Sequence, residues 1–271
     1  MKADGHVQLF LGEHALEQAD RSLPHGQVCV RTLRSPEKPG SNEDAAAVIQ
    51  VGDSLVLAVA DGVGGMPAAR EASNAAVQTL ARALRKLPDD TPDLRPAILD
   101  AVDKANHNVL ALARGAATTL VVAQLDVKRL RCYHVGDSEL LAVGQRGRIK
   151  QRVVPHSPTG FAVEAGLLDE NEAVQHDQRH VLFNVIGSPD MRVEVGPTLQ
   201  LAVHDTVLLA SDGLFDNLFI HEIVDAICSG PLVAAANRLV ERTQARMRGD
   251  ARADLPSKPD DLTIVLFRPR R

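Results

Sequence analysis

The sequence predicts an α+β fold in which two antiparallel sheets pack together and pairs of helices cover them. Three observations lead to this expectation. Short, β-branched apolar runs bounded by glycine are typical of buried strands, and they occur in groups along the 271 residues. Two helical patterns follow one another directly in two places. The order of strands, paired helices, strands, paired helices and strand differs from the regular alternation of a parallel α/β fold.

The first predicted elements are one strand and a hairpin. About 25 weakly patterned polar residues precede a core strand at 28–33. The runs 45–51 and 54–60 are joined by Gly52 and Asp53, and a two-residue loop that begins with glycine suits a type II′ hairpin.

Two helices and a second set of strands are expected after the hairpin. Apolar residues recur at helical spacing after residue 67, and Pro92 stands where the first turn of a second helix accepts proline. The predicted ranges are helices at 67–87, 92–115, 161–168, 220–228 and 232–247, and strands at 118–125, 130–136, 139–143, 149–154, 181–186, 193–203, 206–210 and 262–267.

Length and composition indicate a single domain that covers residues 1–271. A chain of this length buries a substantial core, and no long Pro, Gly or Ser linker divides it. The formal net charge of −5 and a pI near 6.1 argue against the basic face that a nucleic-acid-binding protein requires. No nucleic-acid partner is therefore expected.

Hydropathy and cysteine usage favour a cytoplasmic protein without a membrane partner. The N-terminal segment lacks the apolar stretch of a signal peptide, and no run reaches the roughly 20 apolar residues of a membrane span. Cys29, Cys132 and Cys228 occur singly, without paired spacing for zinc. Cys132 and Cys228 lie in apolar runs, which favours buried, reduced thiols.

Five acidic turns carry an aspartate where an apolar run ends or begins: Asp44, Asp61, Asp137, Asp212 and Asp260. Since the end of one antiparallel strand lies beside the start of its neighbour, all five are expected to converge on one edge. In the hairpin register Asp44 faces Asp61 with Cβ atoms about 5 Å apart, where two carboxylates repel unless a proton or a cation lies with them. Mg²⁺ and Mn²⁺ prefer oxygen ligands of this kind, and two ions about 4 Å apart serve phosphoryl chemistry.

A single acidic dipeptide is more often a turn than a ligand, but seven motifs occur here in a defined order. They are SNEDA (41–45), VADGVGG (59–65), GAATT (115–119), VGDS (135–138), IGS (186–188), ASDGLFD (210–216) and DDLT (260–263). With these motifs the chain resembles, over about residues 28–268, the metal-dependent protein phosphatases of the PPM class, also called type 2C, of bacterial type. The resemblance implies a four-layer α-β-β-α sandwich that hydrolyses phosphoserine and phosphothreonine in protein substrates.

The resemblance also implies a set of metal ligands. Asp61 matches the residue that bridges two Mn²⁺ or Mg²⁺ ions, and the backbone carbonyl of Gly62 helps to bind one of them. Asp212 and Asp260 match the residues that complete the protein ligands of the second ion. Asp137 matches a carboxylate tied to a third ion that binds more weakly.

Two further acidic residues complete the implied catalytic machinery. Glu43 and Asp44 match positions that hold metal-bound water, and Asp44 joins Asp61, Asp212 and Asp260 in the catalytic set. A water between two dications supplies hydroxide near neutral pH and attacks phosphorus in line with the leaving oxygen, so no protein nucleophile is required.

Two positions depart from the family pattern. Many members carry an arginine upstream of the NED-like motif to hold the substrate phosphate, but Pro39 stands there in this chain. Lys38 is the residue predicted to contact the phosphate, with Arg34 or Arg31 as alternatives. Val63 replaces a histidine that protonates the leaving group in some members, which leaves metal-bound water or another histidine for that role.

His156 lies where family members often have a histidine, although a lone loop histidine is more often a surface residue than a catalytic one. The mobile flap of bacterial members corresponds to about residues 156–180.

The leading hypothesis is a signalling phosphatase that acts on a phosphorylated protein and opposes a serine/threonine kinase. One alternative is a pseudophosphatase that binds a phosphoprotein without turnover, and the presence of Asp61, Asp212 and Asp260 argues against it. A second alternative is a metal-dependent esterase for small phosphate esters, which activity on phosphopeptides would distinguish.

Overall fold

Two antiparallel sheets flanked by helices confirm the predicted fold class. The computed structural model describes residues 7–37, 40–66, 68–112, 115–252 and 255–270. The strands are β1 (Val7–Phe10), β2 (Leu16–Leu23), β3 (Gly26–Leu33), β4 (Asp44–Val51), β5 (Ser54–Asp61), β6 (Leu120–Asp126), β7 (Arg129–Val135), β8 (Glu139–Val143), β9 (Ile149–Arg152), β10 (Glu194–Val195), β11 (Leu199–Gln200), β12 (Thr206–Ala210) and β13 (Leu262–Pro269). The helices are α1 (Ala69–Leu84), α2 (Arg95–Leu110), α3 (Pro158–Glu164), α4 (Glu170–Ala173), α5 (Asp212–Phe215), α6 (Ile220–Ile227) and α7 (Leu232–Met247).

The molecule is built of four layers. The first sheet has the strand order β1-β4-β5-β6-β7-β10, with β11 also paired to β7, and the second has the order β2-β3-β13-β12-β8-β9. Helices α1 and α2 pack on the outer face of the first sheet, while α5, α6 and α7 pack on the outer face of the second. A third apolar cluster fills the space between the sheets. This helix–sheet–sheet–helix order is the predicted sandwich.

The β4–β5 hairpin has the predicted register. Val51 pairs with Ser54 beside the loop, and Asp44 pairs with Asp61 at the open end. Gly52 adopts a φ of 52° at the first loop position, a left-handed conformation that glycine reaches without steric cost. Alternate residues of β4 face the helices and the second sheet, so both faces of the strand are apolar. The hairpin thus brings two aspartates to the same end of the sheet.

Two strands occur where the sequence carries no clear pattern. β1 pairs with β4, and β2 pairs with β3, each at the edge of its sheet. No residue of β2 is buried, so this edge strand lacks the apolar alternation from which strands are predicted. The weak pattern is real, but the prediction that the first strand is the one at 28–33 is wrong, because β1 and β2 precede it.

Three helices begin at positions that differ from the predicted ones. α2 begins at Arg95 and has Pro96, rather than Pro92, in its first turn. α3 begins at Pro158 because the Ser157 hydroxyl accepts a hydrogen bond from the Gly160 N–H at 3.0 Å and caps the helix. α1 begins at Ala69; residue 67, where its start was predicted, lies outside the described residues.

The segment before β12 is less regular than predicted. No strand forms at 181–186, where Ile186 makes an isolated bridge with Thr118. The strand predicted at 193–203 is divided into β10 and β11. Pro197 lies between them and has no N–H to donate to a strand ladder.

Cys29, Cys132 and Cys228 are free thiols, and the two buried ones have little tendency to ionise. Cys29 and Cys132 are buried, as is typical of structural cysteines, whereas Cys228 is partly exposed and not buried as expected. Burial raises the pKa of Cys29 to about 12 and raises the pKa of Cys132 well above its usual range.

Among the residues that the structure describes, no helix is long and apolar enough to cross a membrane.

The β6–β7 hairpin contains a strained position. Val127 is 63% exposed and opens the two-residue loop with a φ of 57°, a left-handed conformation that costs an L-residue about 1–2 kcal/mol. We predict that Val127→Asn raises the free energy of unfolding in urea by about 0.5–1 kcal/mol, because asparagine tolerates this conformation better than a β-branched residue.

The adjacent loop residue provides the control for this prediction. Lys128 has no left-handed φ, so Lys128→Asn leaves the free energy of unfolding unchanged within error. A Val127→Asn variant no more stable than the wild type would contradict the strain at this position.

Candidate metal centre

Five aspartates from both sheets lie together at one end of the sandwich. Asp44 begins β4 and Asp61 ends β5, Asp137 follows β7, Asp212 follows β12, and Asp260 precedes β13. Desolvation, followed by repulsion from the other four aspartates, raises the pKa of Asp61 well above its usual range. The five carboxylates therefore lie near enough to one another to interact electrostatically. We refer to these five residues as the carboxylate centre.

Asp44 has the most enclosed carboxylate of the centre. Its side chain is fully buried, and the Ser211 hydroxyl donates to Oδ2 at 2.7 Å. The Oδ1 atom has no hydrogen-bond partner among the described residues. Desolvation, then repulsion from Asp261, raises the pKa of Asp44 well above its usual range. A buried carboxylate of this kind is costly unless a proton or a cation neutralises it, so the centre fits a bound divalent cation.

Asp216 adds a sixth carboxylate, which the sequence analysis did not assign. It follows Asp212 by one helical turn, and the Lys258 ammonium donates to both carboxylates, at 2.6 Å to Asp212 and 2.7 Å to Asp216. Desolvation, followed by repulsion from Asp212, raises the pKa of Asp216 to about 6. The signal that could have identified Asp216 is its spacing of four residues from Asp212, which places two helical side chains on one face.

Two threonines fix the backbone that carries Asp61. The Thr118 hydroxyl donates to the Asp61 carbonyl at 2.7 Å, and the Thr119 hydroxyl accepts from the Asp61 N–H at 3.0 Å. The hydroxyls of Thr119 and Ser138 also share a hydrogen bond of 2.6 Å. Since Ser138 directly follows Asp137, this network joins the backbones of two aspartates of the centre. The threonines therefore position the site rather than take part in its chemistry.

Asp261 ties the loop before β4 to the centre. Its Oδ1 accepts the Ser35 N–H at 2.7 Å, and its Oδ2 accepts the Glu43 N–H at 2.8 Å. Because Asp261 is almost fully buried, the two bonds fix both ends of the loop between β3 and β4. Glu43, predicted to hold water at the ions, is thereby placed beside Asp44.

The three basic residues considered for phosphate binding lie in different surroundings. Arg31 is buried and donates to Asp20 at 2.7 Å and to Asn237 at 3.2 Å. Its guanidinium is therefore already bound between β2 and α7. Arg34 is exposed at the start of the loop that Asp261 ties down. Lys38, predicted to contact the phosphate, lies outside the described residues.

Gly62 lies where α1 closely approaches the end of β5. A Cβ atom at this position would lie 2.4 Å from the Ala69 carbonyl oxygen. The Gly62 N–H donates to the Glu43 carbonyl at 3.1 Å. Only glycine fits this close approach of two backbones, which gives the residue a packing role in addition to the ion contact expected for its carbonyl.

His156 is a buried residue that supports the turn beside Asp137, not a surface histidine. Its Nδ1 accepts the Gly136 N–H at 3.1 Å, which places the ring proton on Nε2, 3.3 Å from a Glu194 carboxylate oxygen. Burial lowers the pKa of the stacked His134 ring to about 4. His134, His156 and Glu194 lie close enough for a metal ion, but the hydrogen bonds of His156 leave it no lone pair for one.

A cavity of about 280 Å³ opens beside the centre. Its walls include Asp137, Asp212 and Asp216 on one side and residues of α3 and α4 on the other. These two helices lie within the segment predicted as the flap, at about residues 156–180. Arg179, at the end of that segment, lies 3.6 Å from the Asp216 carboxylate. The flap segment is thus packed against the side of the centre where Asp212 and Asp216 lie.

Removal of the Asp61 charge is expected to have opposite effects with and without metal. In EDTA at pH 7.5, we predict that Asp61→Asn raises the free energy of unfolding by about 1 kcal/mol, because one member of a repelling carboxylate set becomes neutral. With Mn²⁺ the wild type gains stability from ligand binding, and the variant gains less. Both effects are measured by thermal unfolding.

The pH dependence follows from the direction of the pKa shift. Because the folded-state pKa of Asp61 is raised, protonation of the wild type removes its penalty, and the advantage of Asp61→Asn in EDTA shrinks as the pH falls toward 4. A destabilised Asp61→Asn protein in EDTA at pH 7.5 would contradict this electrostatic description.

Three comparisons relate this chain to known proteins. A protein-family model described as Protein phosphatase 2C matches residues 37–254. The serine/threonine protein phosphatase PstP of Mycobacterium tuberculosis is 31% identical over 238 residues, which cover 83% of this chain and 42% of PstP. This chain thus spans less than half the length of that relative. The protein phosphatase PhpP of Streptococcus pneumoniae is 30% identical over 217 residues, which cover 75% of this chain and 86% of PhpP.

Solved structures have the same architecture. The PPM Ser-Thr phosphatase MsPP from Mycobacterium smegmatis, in complex with cacodylate, has a TM-score of 0.72 at 29% identity, covering 89% of this chain and 97% of MsPP. The catalytic domain of a phosphatase PstP, in complex with 2 manganese ions, has a TM-score of 0.72 at 24% identity, covers 90% of this chain and 98% of that domain, and supports the fold. This chain therefore belongs to the protein phosphatase 2C family.

Proposed function

We propose that this protein is a Mn²⁺- or Mg²⁺-dependent phosphatase that hydrolyses phosphoserine and phosphothreonine in protein substrates. The observation that carries the proposal is the convergence of carboxylates from both sheets around Asp44, whose buried Oδ1 has no hydrogen-bond partner among the described residues. Mutual repulsion at such a site is relieved by divalent cations. The membership of the chain in a phosphatase family adds independent support.

We assign the ions to the carboxylate centre. Asp61 and the carbonyl of Gly62 would hold one ion, and Asp61, Asp212 and Asp260 would hold a second. Asp137 is the residue assigned to a third, more weakly bound ion. When bound, these ions supply positive charge that makes water more acidic and withdraws electrons from the phosphate.

The remaining residues of the site bind and orient. Asp44 and Glu43 accept hydrogen bonds from water and hold it in line for attack on phosphorus, and cationic residues of the loop between β3 and β4 bind the phosphate. Lys38 is the residue that we assign to the substrate phosphate, with Arg34 in the same loop. A lysine acts there as a point charge and lacks the two-pronged contact of arginine.

We assign no side chain as general acid. The Val63 side chain has no ionisable proton, and both ring nitrogens of His156 are engaged by neighbouring groups.

We also propose that residues 1–271 form one phosphatase domain. On this proposal the protein works in the cytoplasm with its thiols reduced, and a serine/threonine kinase supplies its substrate.

Phosphate release from a phosphothreonine peptide tests the proposed activity. With Mn²⁺ or Mg²⁺ we expect turnover that EDTA abolishes. Asp260→Asn is expected to lower kcat/KM at least about 100-fold, which corresponds to a loss of about 2.7 kcal/mol of transition-state stabilisation.

Asp126→Asn is the matched control, because Asp126 also lies at a strand end but at the hairpin loop beside Ser54. This variant retains wild-type kcat/KM. Turnover that persists in EDTA, or that survives in Asp260→Asn, would contradict the proposal. A folded wild type that binds Mn²⁺ and releases no phosphate would support the pseudophosphatase instead.

A further inference from the structure

Lys258 places an ammonium group among the carboxylates of the metal centre. Its Nζ atom lies 2.6 Å from Asp212 Oδ2, 2.7 Å from Asp216 Oδ2 and 3.2 Å from Asp260 Oδ2. The ammonium donates hydrogen bonds to Asp212 and Asp216 and forms an ion pair with Asp260. Sequence analysis assigned no role to this residue, although it precedes Asp260 by two positions.

The backbone of Lys258 is fixed by Asn217, a buried residue that follows α5. The Lys258 N–H donates to Asn217 Oδ1 at 2.8 Å, and Asn217 Nδ2 donates to the Lys258 carbonyl at 2.9 Å. Asn217 is fully buried and also donates to the Gly213 carbonyl at 2.9 Å. The same side chain thus connects Lys258 to the turn that carries Asp212 and Asp216. The fold therefore holds the backbone of Lys258 at a position from which its ammonium reaches these carboxylates.

Three carboxylates enclose the ammonium, since one oxygen each of Asp212, Asp216 and Asp260 lies within 3.2 Å of its nitrogen atom. The side chain is 23% exposed, which indicates a largely enclosed charge.

An ammonium and a divalent ion cannot share one position between the same oxygens. Lys258 contacts the Oδ2 atoms of Asp212 and Asp216, the two carboxylates that also repel Asp137. A divalent ion that shared the carboxylates of Asp212 and Asp216 would be repelled strongly by the ammonium that contacts the same two groups. The chain thus supplies one positive charge at Asp212 and Asp216, which line the same cavity as Asp137.

We infer that Lys258 is a built-in cation that replaces the third divalent ion, so that this chain holds two ions where its carboxylates could hold three. The inference rests on the proposed function, because it assumes that the remainder of the centre binds divalent ions. It makes Lys258 a positioning residue, which keeps Asp212 and Asp260 in place and sets the number and affinity of the bound ions.

Calorimetric titration with Mn²⁺ alone, in the absence of substrate, tests this inference. Wild type is expected to bind two ions per chain, as in the manganese complex of the related PstP domain. Lys258→Met is expected to bind one more ion, or to bind Mn²⁺ at least about tenfold more tightly, because removal of one positive charge strengthens the attraction of the centre for cations. Lys258→Arg keeps the charge and is expected to retain the wild-type ion count.

Thermal unfolding gives a second readout that does not depend on activity. In EDTA, Lys258→Met is expected to have a lower Tm than wild type, and saturating Mn²⁺ raises its Tm by a larger interval than it raises that of wild type. Lys150→Met is the matched control. Lys150 forms an ion pair with the buried Asp205, with 2.5 Å between Nζ and Oδ2, and neither residue belongs to the carboxylate centre. This control also lowers the Tm but leaves the ion count and the Mn²⁺-induced shift unchanged.

The outcomes separate this inference from the proposed function. If Lys258→Met binds the same number of ions with wild-type affinity, the inference is overturned while the two-ion phosphatase stands. If neither protein binds Mn²⁺, both are overturned. Should Lys258→Met unfold in EDTA, it is prepared in Mn²⁺ and its ion content is measured by atomic absorption after gel filtration. Under these conditions an extra ion supports the inference, and an unchanged content contradicts it.

Discussion

Repulsion among carboxylates at one end of the sandwich is the constraint on which the site depends. Asp44 and Asp61 face each other across a hairpin, and Asp212, Asp137 and Asp260 add to the same negative potential. Desolvation makes this repulsion costly, which is why the pKa values of several members are raised. The centre is tolerated because protons or Lys258 compensate part of the charge, and divalent ions are suited to compensate the rest.

The fold holds these carboxylates together because both sheets end at the same side. In the first sheet, the β4–β5 register sets Asp44 against Asp61. In the second sheet, the Ser211 hydroxyl accepts from the Thr263 N–H and donates to Asp44, so one side chain joins β12, β13 and β4. The apolar cluster between the sheets provides the rigid support that positions this link.

The elements with strong local signals could be predicted from the sequence, and the parts that depend on tertiary contacts could not. The β4–β5 register follows from a glycine-first loop and two apolar runs, and the convergence of the aspartates follows from antiparallel pairing. β2 could not be predicted because none of its residues is buried. Lys258 was missed because a single lysine before an acidic motif has the pattern of a surface residue, and its contact with Asp212 arises only in the fold.

Anomalous diffraction from crystals soaked in Mn²⁺, recorded at the manganese absorption edge, tests the central claim most directly. The account predicts anomalous peaks between Asp61, Asp212 and Asp260 at the end of the sandwich, and none at His134, His156 and Glu194. A folded protein without peaks at the aspartates, or with manganese bound only beside His156, would contradict the assignment of the carboxylate centre as the metal site.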